Sequence, residues 1–149
     1  FIQYYLDGKE SIVSNFSFSK LTGEQTVFYT SGKLLSKKNY LNDTLHGGET
    51  NYYENGKVQW STNYKMGAEH GSYKYYHENG QLWTEKIHVD GLLMSATTFS
   101  DTGDQIENGT LENGNGTLKH FQKTGELYLI ETYEDGVLVS EEQFGEFDW

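Results

Sequence analysis

No cysteine and no proline occur among the 149 residues. The first absence removes any disulfide framework, thiolate chemistry or Cys-based zinc site. The second leaves nothing to interrupt a strand ladder by deleting a backbone donor. No apolar run reaches the length that a membrane-crossing helix requires. Positive charge is scarce: 11 Lys and Arg stand against 22 Asp and Glu, for a net charge of −11. The densest basic cluster is Lys33, Lys37 and Lys38. An acidic surface repels phosphates, which speaks against nucleic acid and anionic membrane as partners and favours a basic protein or peptide. Solubility is the simpler use of the same charge. The chain opens at Phe1 without a methionine, so a trimmed N-terminus is expected. Cytoplasm and, if a signal segment was removed, cell envelope or exterior both stay open.

What is present is aromatic and periodic. Hydrophobic residues make up 35%, low for a thick aliphatic core, yet 15% of the chain is aromatic, with 12 Tyr and 8 Phe. That imbalance suits half-buried sheet surface and argues against disorder. Gly32, Gly56 and Gly80 recur every 24 residues, each with an aromatic residue four places before it and an aliphatic two places after. Gly125 repeats the arrangement further on. A fixed period of this size marks a repeat array.

Each unit reads as one β-hairpin. Strands end at Phe28, Tyr52, Tyr76 and Phe121, turns follow at Tyr29–Gly32, Tyr53–Gly56, His77–Gly80 and Gln122–Gly125, and second strands run to Tyr40, Tyr64, His88 and Tyr133. Second turns close the units at Leu41–Asp43, Lys65–Gly67, Val89–Gly91 and Glu134–Gly136. The segments are too short and too rich in aromatic and β-branched residues for helices. In the first turn the glycine is constant while the residue before it varies among Ser, Asn and Thr. A type I turn followed by one left-handed glycine needs only that glycine, so a three-residue loop is predicted. It pairs Phe28 with Leu34, Tyr52 with Val58, Tyr76 with Leu82 and Phe121 with Leu127 on one face. Strand alternation extends that apolar strip through Trp60, Thr62 and Tyr64, and leaves Trp83, Leu35 and Tyr128 on a mixed face otherwise carrying Lys, Glu, Ser and Asn.

The predicted architecture is all-β: an elongated single sheet of consecutive antiparallel hairpins, about ten strands and roughly 50 Å long at the usual strand spacing. The whole chain, 1–149, reads as a single repeat domain, regular over 23–94 and degenerate over 1–22 and 95–144, with a cap or tail at 145–149. The first 22 residues fit the period poorly apart from Tyr5-Leu6-Asp7-Gly8. The glycine-rich stretch Glu107–Gly116 is the expected irregular or mobile loop. Ser95 and Ser140 replace a unit-opening glycine and Asp43 replaces a turn glycine, so altered joints are expected there.

The segment Asn63-Tyr64-Lys65-Met66-Gly67-Ala68-Glu69-His70-Gly71-Ser72-Tyr73-Lys74-Tyr75-Tyr76 resembles the MORN repeat (membrane occupation and recognition nexus), with Leu45-His46-Gly47 repeating its His-Gly step. Tyr52-Tyr53-Glu54-Asn55-Gly56-Lys57-Val58 and Tyr76-His77-Glu78-Asn79-Gly80-Gln81-Leu82 look like the bacterial variant of that repeat, whose all-repeat chains are named YwqK-family antitoxins. The resemblance implies a hairpin sheet whose groove holds a peptide, a partner protein or lipid, and the antitoxin name implies a proteinaceous toxin inhibitor.

Little chemistry is visible. His46 and His70 lie one period apart beside turn glycines, where an imidazole satisfies loop backbone groups; a metal site would need three or four ligands. His77, His88 and His120 share no column. No carboxylates converge in the way a hydrolase requires, no cofactor is expected, and an enzyme is not predicted. The candidate partner-binding residues are Trp83, Tyr128, Tyr73, Tyr75 and Leu35, aromatic and aliphatic side chains outside the predicted strip. The expected function is non-enzymatic binding of a protein or peptide along the sheet, either toxin-neutralising or scaffolding. A cell-envelope structural or glycan-binding module is the alternative. Unpaired terminal strands would permit an end-to-end homodimer.

Overall fold

The computed structural model describes residues 1–122 and 125–145, and every regular element among them is a β-strand. Strands β1 (Ile2–Tyr4), β2 (Glu10–Ser17), β3 (Lys20–Phe28), β4 (Leu34–Leu41), β5 (Thr44–Tyr52) and β6 (Val58–Lys65) are consecutive antiparallel neighbours. They continue into β8 (Gly71–Tyr76), β9 (Leu82–Val89), β10 (Leu92–Phe99) and β11 (Gln105–Ile106), with the short β7 (Ala68–Glu69) paired to β6. These eleven strands form one sheet in chain order. A second sheet holds β12 (Gly116–Phe121), β13 (Leu127–Glu134) and β14 (Val137–Gln143). The all-β hairpin array is therefore as predicted, but its last three strands leave the long sheet. The predicted cap residues Phe147–Trp149, and Lys123 and Thr124 of the predicted turn Gln122–Gly125, lie outside the described residues.

Two turn types alternate, and each follows from backbone sterics. In the first, the Gly32 N–H donates to the Tyr29 carbonyl and the Tyr29 N–H to the Lys33 carbonyl, both at 2.8 Å, with Gly32 at φ +86°. Gly56 and Gly80 repeat it. This is the three-residue loop, and all four predicted pairs form: Phe28 with Leu34, Tyr52 with Val58, Tyr76 with Leu82 and Phe121 with Leu127. The second turn has two residues, both at positive φ, as a type I′ hairpin demands: Asn42 and Asp43, Met66 and Gly67, Asp90 and Gly91, Asp135 and Gly136. Asp43 adopts φ +69°, so this joint matches the others and the expected alteration does not occur.

The first 22 residues form a full unit, contrary to the reading of a poor fit. Gly8 takes φ +84° in a three-residue turn, and Phe18 and Ser19, at φ 48° and 64°, make the two-residue turn. Phe-Ser lacks the Asn, Asp or Gly chemistry that normally announces such a turn, which is why it was invisible in sequence.

Copies are tied to one another by hydrogen bonds that reach back one repeat. The backbone N–H groups of Asp43, Gly67, Gly91 and Gly136 donate to the carbonyls of Leu21, Leu45, Glu69 and Gly114. His46 Nδ1 accepts from the Met66 N–H and His70 Nδ1 from the Asp90 N–H, both at 3.3 Å. Thr22 and Asn115 do the same for Asn42 and Asp135. The imidazoles thus satisfy loop backbone, as their position beside the turn predicted. At the other end the hydroxyls of Tyr5, Tyr29 and Tyr53 donate to the carbonyls of Phe28, Tyr52 and Tyr76.

One correction has functional weight. After each aromatic–aliphatic pair the register slips: Tyr52 opposes Val58 but Asn51 opposes Trp60, and Tyr76 opposes Leu82 but Tyr75 opposes Thr84. The extra residue is Leu35, Gln59, Trp83 or Tyr128. A one-residue slip flips every following side chain. Trp60, Thr62 and Tyr64 therefore leave the face of Val58 and join that of Tyr73 and Tyr75. The predicted single strip divides, and the supposedly mixed face is the aromatic one.

The glycine-to-serine joints do differ. At Gly47, φ +97°, the one residue between Lys38 and Tyr40 is matched by three between Glu49 and Leu45, two extra residues in all. At Ser95 and Ser140 only one extra residue is accommodated, consistent with the missing left-handed glycine. Beyond Ser95 the array breaks. Residues 107–115 are irregular as expected, yet they are built into the core: Asn108 and Leu111 are buried, and the Gly114 N–H donates to the Met94 carbonyl. The core consists of Leu93, Leu111, Leu118 and Tyr133, with Ala96 packed against it. It sits between β10 and the second sheet. Leu93 also donates its N–H to the Gly136 carbonyl, so backbone as well as side chains join the sheets.

Met66, φ +52°, occupies a left-handed position that Asn and Asp fill in other copies, and its side chain is exposed. Met66→Asn is expected to stabilise by about 1 kcal/mol, since Asn tolerates this conformation. Thermal unfolding should read a rise of about 2–4 °C; an unchanged or lower midpoint contradicts it.

Candidate functional site

A groove of about 820 Å³ lies between the aromatic face of the long sheet and the small second sheet. Tyr53, Tyr73, Tyr75, His77 and Trp83 line it from one side, and Leu118, His120 and Tyr128 from the other. It adjoins a smaller hollow of about 550 Å³ toward Phe99 and Phe121. His77, Trp83, His120 and Tyr128 line both.

Local sequence explains how each side chain arrives. Tyr73 and Tyr75 alternate on β8, so both face the groove. Trp83 is the bulged residue of β9, which sets it beside Thr84 opposite Tyr75. Its indole meets Tyr75 edge-on, ring centres 5.5 Å apart, and stacks on His77 at 4.9 Å and 13°. Further along, Tyr73 stacks on Trp60 at 5.9 Å. Tyr128 is the corresponding bulged residue of β13 and lies against His120, centres 6.1 Å apart. Such offset and edge contacts hold aromatic rings in place.

Alongside the phenols, the groove has three charged lining residues, Glu78, Lys86 and Lys119. Burial pushes the Tyr73 phenol up to about 12, with neighbouring Tyr75 adding to it. Tyr53 is raised by burial and by its hydrogen bond with Tyr75, and Tyr128 by burial and the nearby Glu131. All these phenols stay neutral around pH 7 and act as hydrogen-bonding surface. Glu131 is held below the usual carboxylate range by the hydrogen bond from His120 Nε2 at 2.8 Å, and the Tyr133 hydroxyl donates to it at 3.0 Å. Among the described residues no group of three or more His, Cys, Asp or Glu side chains is placed to hold a metal ion. The arrangement offers area, ring faces and donors.

The structure brings together four of the five predicted binding residues: Trp83, Tyr128, Tyr73 and Tyr75. Leu35 holds the bulge position of Trp83 two repeats earlier, on β4, and lines neither hollow. Sequence reasoning missed His77, Lys86, Leu118 and His120 as lining residues. The wall that β12 and β13 provide depends on the second sheet folding over, and the one local signal was Leu111, an aliphatic residue amid glycine and asparagine.

His88 lies two residues beyond Lys86 on β9, 9% exposed, in the column that holds Tyr40, Tyr64 and Tyr133 in other copies. Its Nδ1 is buried with no hydrogen-bond partner among the described residues.

Three stretches of the chain, residues 21–42, 45–66 and 69–90, match the family model of the MORN repeat variant. They coincide with the three units from β3 to β9. No curated protein matches the chain.

Burial holds the His88 imidazole below its ordinary value, with Glu69 opposing and Lys86 adding to the shift. The unfolded chain then binds a proton that the folded one resists, so stability should fall as pH drops through the ordinary histidine value of about 6.5. His88→Tyr, matching the other copies, is expected to flatten the melting-temperature profile between about pH 7.5 and 5.5. Equal slopes for variant and parent would remove His88 as the cause.

Proposed function

We propose that these MORN-variant repeats form a non-enzymatic module that binds a segment of another protein, seated in the groove between the two sheets. The observation that supports it most is the convergence of Trp83, Tyr75, Tyr73 and Tyr128 on one concavity of about 820 Å³. Large, pre-positioned aromatic rings supply contact area at low entropic cost and dominate many protein interfaces. The rings are already fixed by mutual stacking, so little ordering is needed on binding. Phenol hydroxyls and imidazole nitrogens around them match the mixed donors and acceptors of an extended backbone.

Glycan stacking is less well served by the same residues. A sugar needs a free ring face, and one face of the Trp83 indole already carries His77. Toxin neutralisation is one biological use of a protein-binding groove, and scaffolding is another; both rest on the same contact.

The test is a selection of random displayed peptides on the immobilised protein, followed by affinity measurements on the enriched sequences. Trp83→Ala should weaken their binding by about 2 kcal/mol, roughly thirtyfold, as for a central interface aromatic. Leu35→Ala, at the equivalent position outside the groove, should leave it unchanged. Selection of no peptide, or of peptides indifferent to Trp83, refutes the proposal.

A further inference from the structure

Lys86 is out of keeping with the other partly buried lysines. Among the described residues, the other partly buried lysines each face a carboxylate: Lys37 with Glu24 at 3.2 Å, Lys38 with Glu49 at 2.8 Å, Lys74 with Glu85 at 3.4 Å and Lys119 with Glu107 at 3.5 Å. Lys86 is also partly buried, yet its ammonium makes no hydrogen bond or ion pair with the described residues. The repeat shows what is missing. Lys38 stands two periods earlier in the same column of the same face, and Glu49 lies directly across from it on the next strand. Across from Lys86 on the next strand stands Ala96, which adds no carboxylate. On the preceding strand its neighbour is Tyr73, a groove aromatic that stays neutral. Glu131 is within electrostatic reach, and its Oε2 already accepts from both His120 and Tyr133, but no ion pair links it to Lys86.

Lys86 lines the groove. A second unmet polar group lines it too. His77 takes the place of Tyr29 and Tyr53, whose hydroxyls reach the carbonyls of the next repeat. The shorter imidazole makes no such bond, and its Nε2 is shut off from solvent with no hydrogen-bond partner among the described residues. The Lys86 ammonium meets no carboxylate among the described residues, and the His77 Nε2 is desolvated with no hydrogen-bond partner among them, which is costly to leave unmet.

We infer that the groove recognises a partner segment bearing one acidic side chain, its carboxylate paired with Lys86 and its apolar neighbours against Trp83 and Tyr75. This rests on the groove being the binding site and names the chemistry that selects its occupant. The rest of the molecule limits how acidic the partner is. With a net charge of −11 outside, a run of carboxylates is repelled, so the segment carries a single acidic residue among apolar ones and neutral or basic flanks. The expectation of a basic partner thus concerns the flanks, and the groove selects the opposite charge.

The same displayed-peptide selection separates the two claims, now read on parent, Lys86→Met, Lys86→Glu and Trp83→Ala proteins. Enriched peptides are expected to share one Asp or Glu beside an apolar residue. Replacing that residue by Asn or Gln should weaken binding to the parent about tenfold and leave binding to Lys86→Met unchanged. Selection on Lys86→Glu should return peptides with Lys or Arg at that place. Peptides that need Trp83 but carry no shared carboxylate, or bind Lys86→Met as well as the parent, overturn the role of Lys86 and leave the groove standing. Peptides that ignore Trp83 remove both. Unfolding midpoints of the Lys86 variants within a few degrees of the parent exclude loss of fold as the cause.

Discussion

The structure depends on hydrogen bonds that point backward by one copy. A two-residue turn with both φ angles positive aims its second N–H at a carbonyl of the preceding unit, and a His, Thr or Asn side chain there accepts the first. At the opposite rim, Tyr hydroxyls perform the matching task. Each hairpin alone is a marginal, two-stranded object. Registered against its neighbour at both rims, it becomes part of a ladder whose stability accumulates from copy to copy. An ordinary aliphatic core is absent over most of the long sheet because the chain uses these rims instead.

The groove exists because the repetition fails. Loss of the left-handed glycine at Ser95 shortens the bulge in β10 by one residue, and the chain then leaves strand geometry after Ile106. Glycines at 109, 114 and 116 permit backbone approaches that a Cβ would block, with atoms of Thr117, Gly136 and Thr110 at 2.2–2.6 Å from where one would stand. That close passage folds the last hairpin back over the aromatic face and buries Leu93, Leu111, Leu118 and Tyr133. A continued ribbon would have left Trp83 and Tyr128 far apart in one sheet. The departure from period turns a flat row of rings into two walls.

Much of this was legible in the residues. The period, the hairpins, the three-residue turn with its four cross-strand pairs and the backbone role of His46 and His70 follow from glycine spacing and from what left-handed conformations tolerate. Trp83, Tyr128, Tyr73 and Tyr75 were singled out together because they fell outside the strip. What escaped has a physical reason. A bulge adds one residue without any compositional mark, so the facing of Trp60 and Tyr64 was inverted. The Phe18-Ser19 turn adopts torsions that its residues disfavour, under the demand of the ladder. Leu35 looked equivalent to Trp83 by position, but only a hairpin near the fold-back meets a second wall. Lys86 stood out only once its column could be compared with Lys38 in three dimensions.

Because the rim contacts run only between adjacent copies, the β2–β6 portion and the fold-back are joined through neighbours and share few direct contacts. A gain or loss of one whole hairpin upstream leaves every junction chemically familiar. Span and recognition are then separate inheritances: gene duplication can lengthen the ribbon by increments, while the specificity of the far end evolves through a handful of substitutions around one indole.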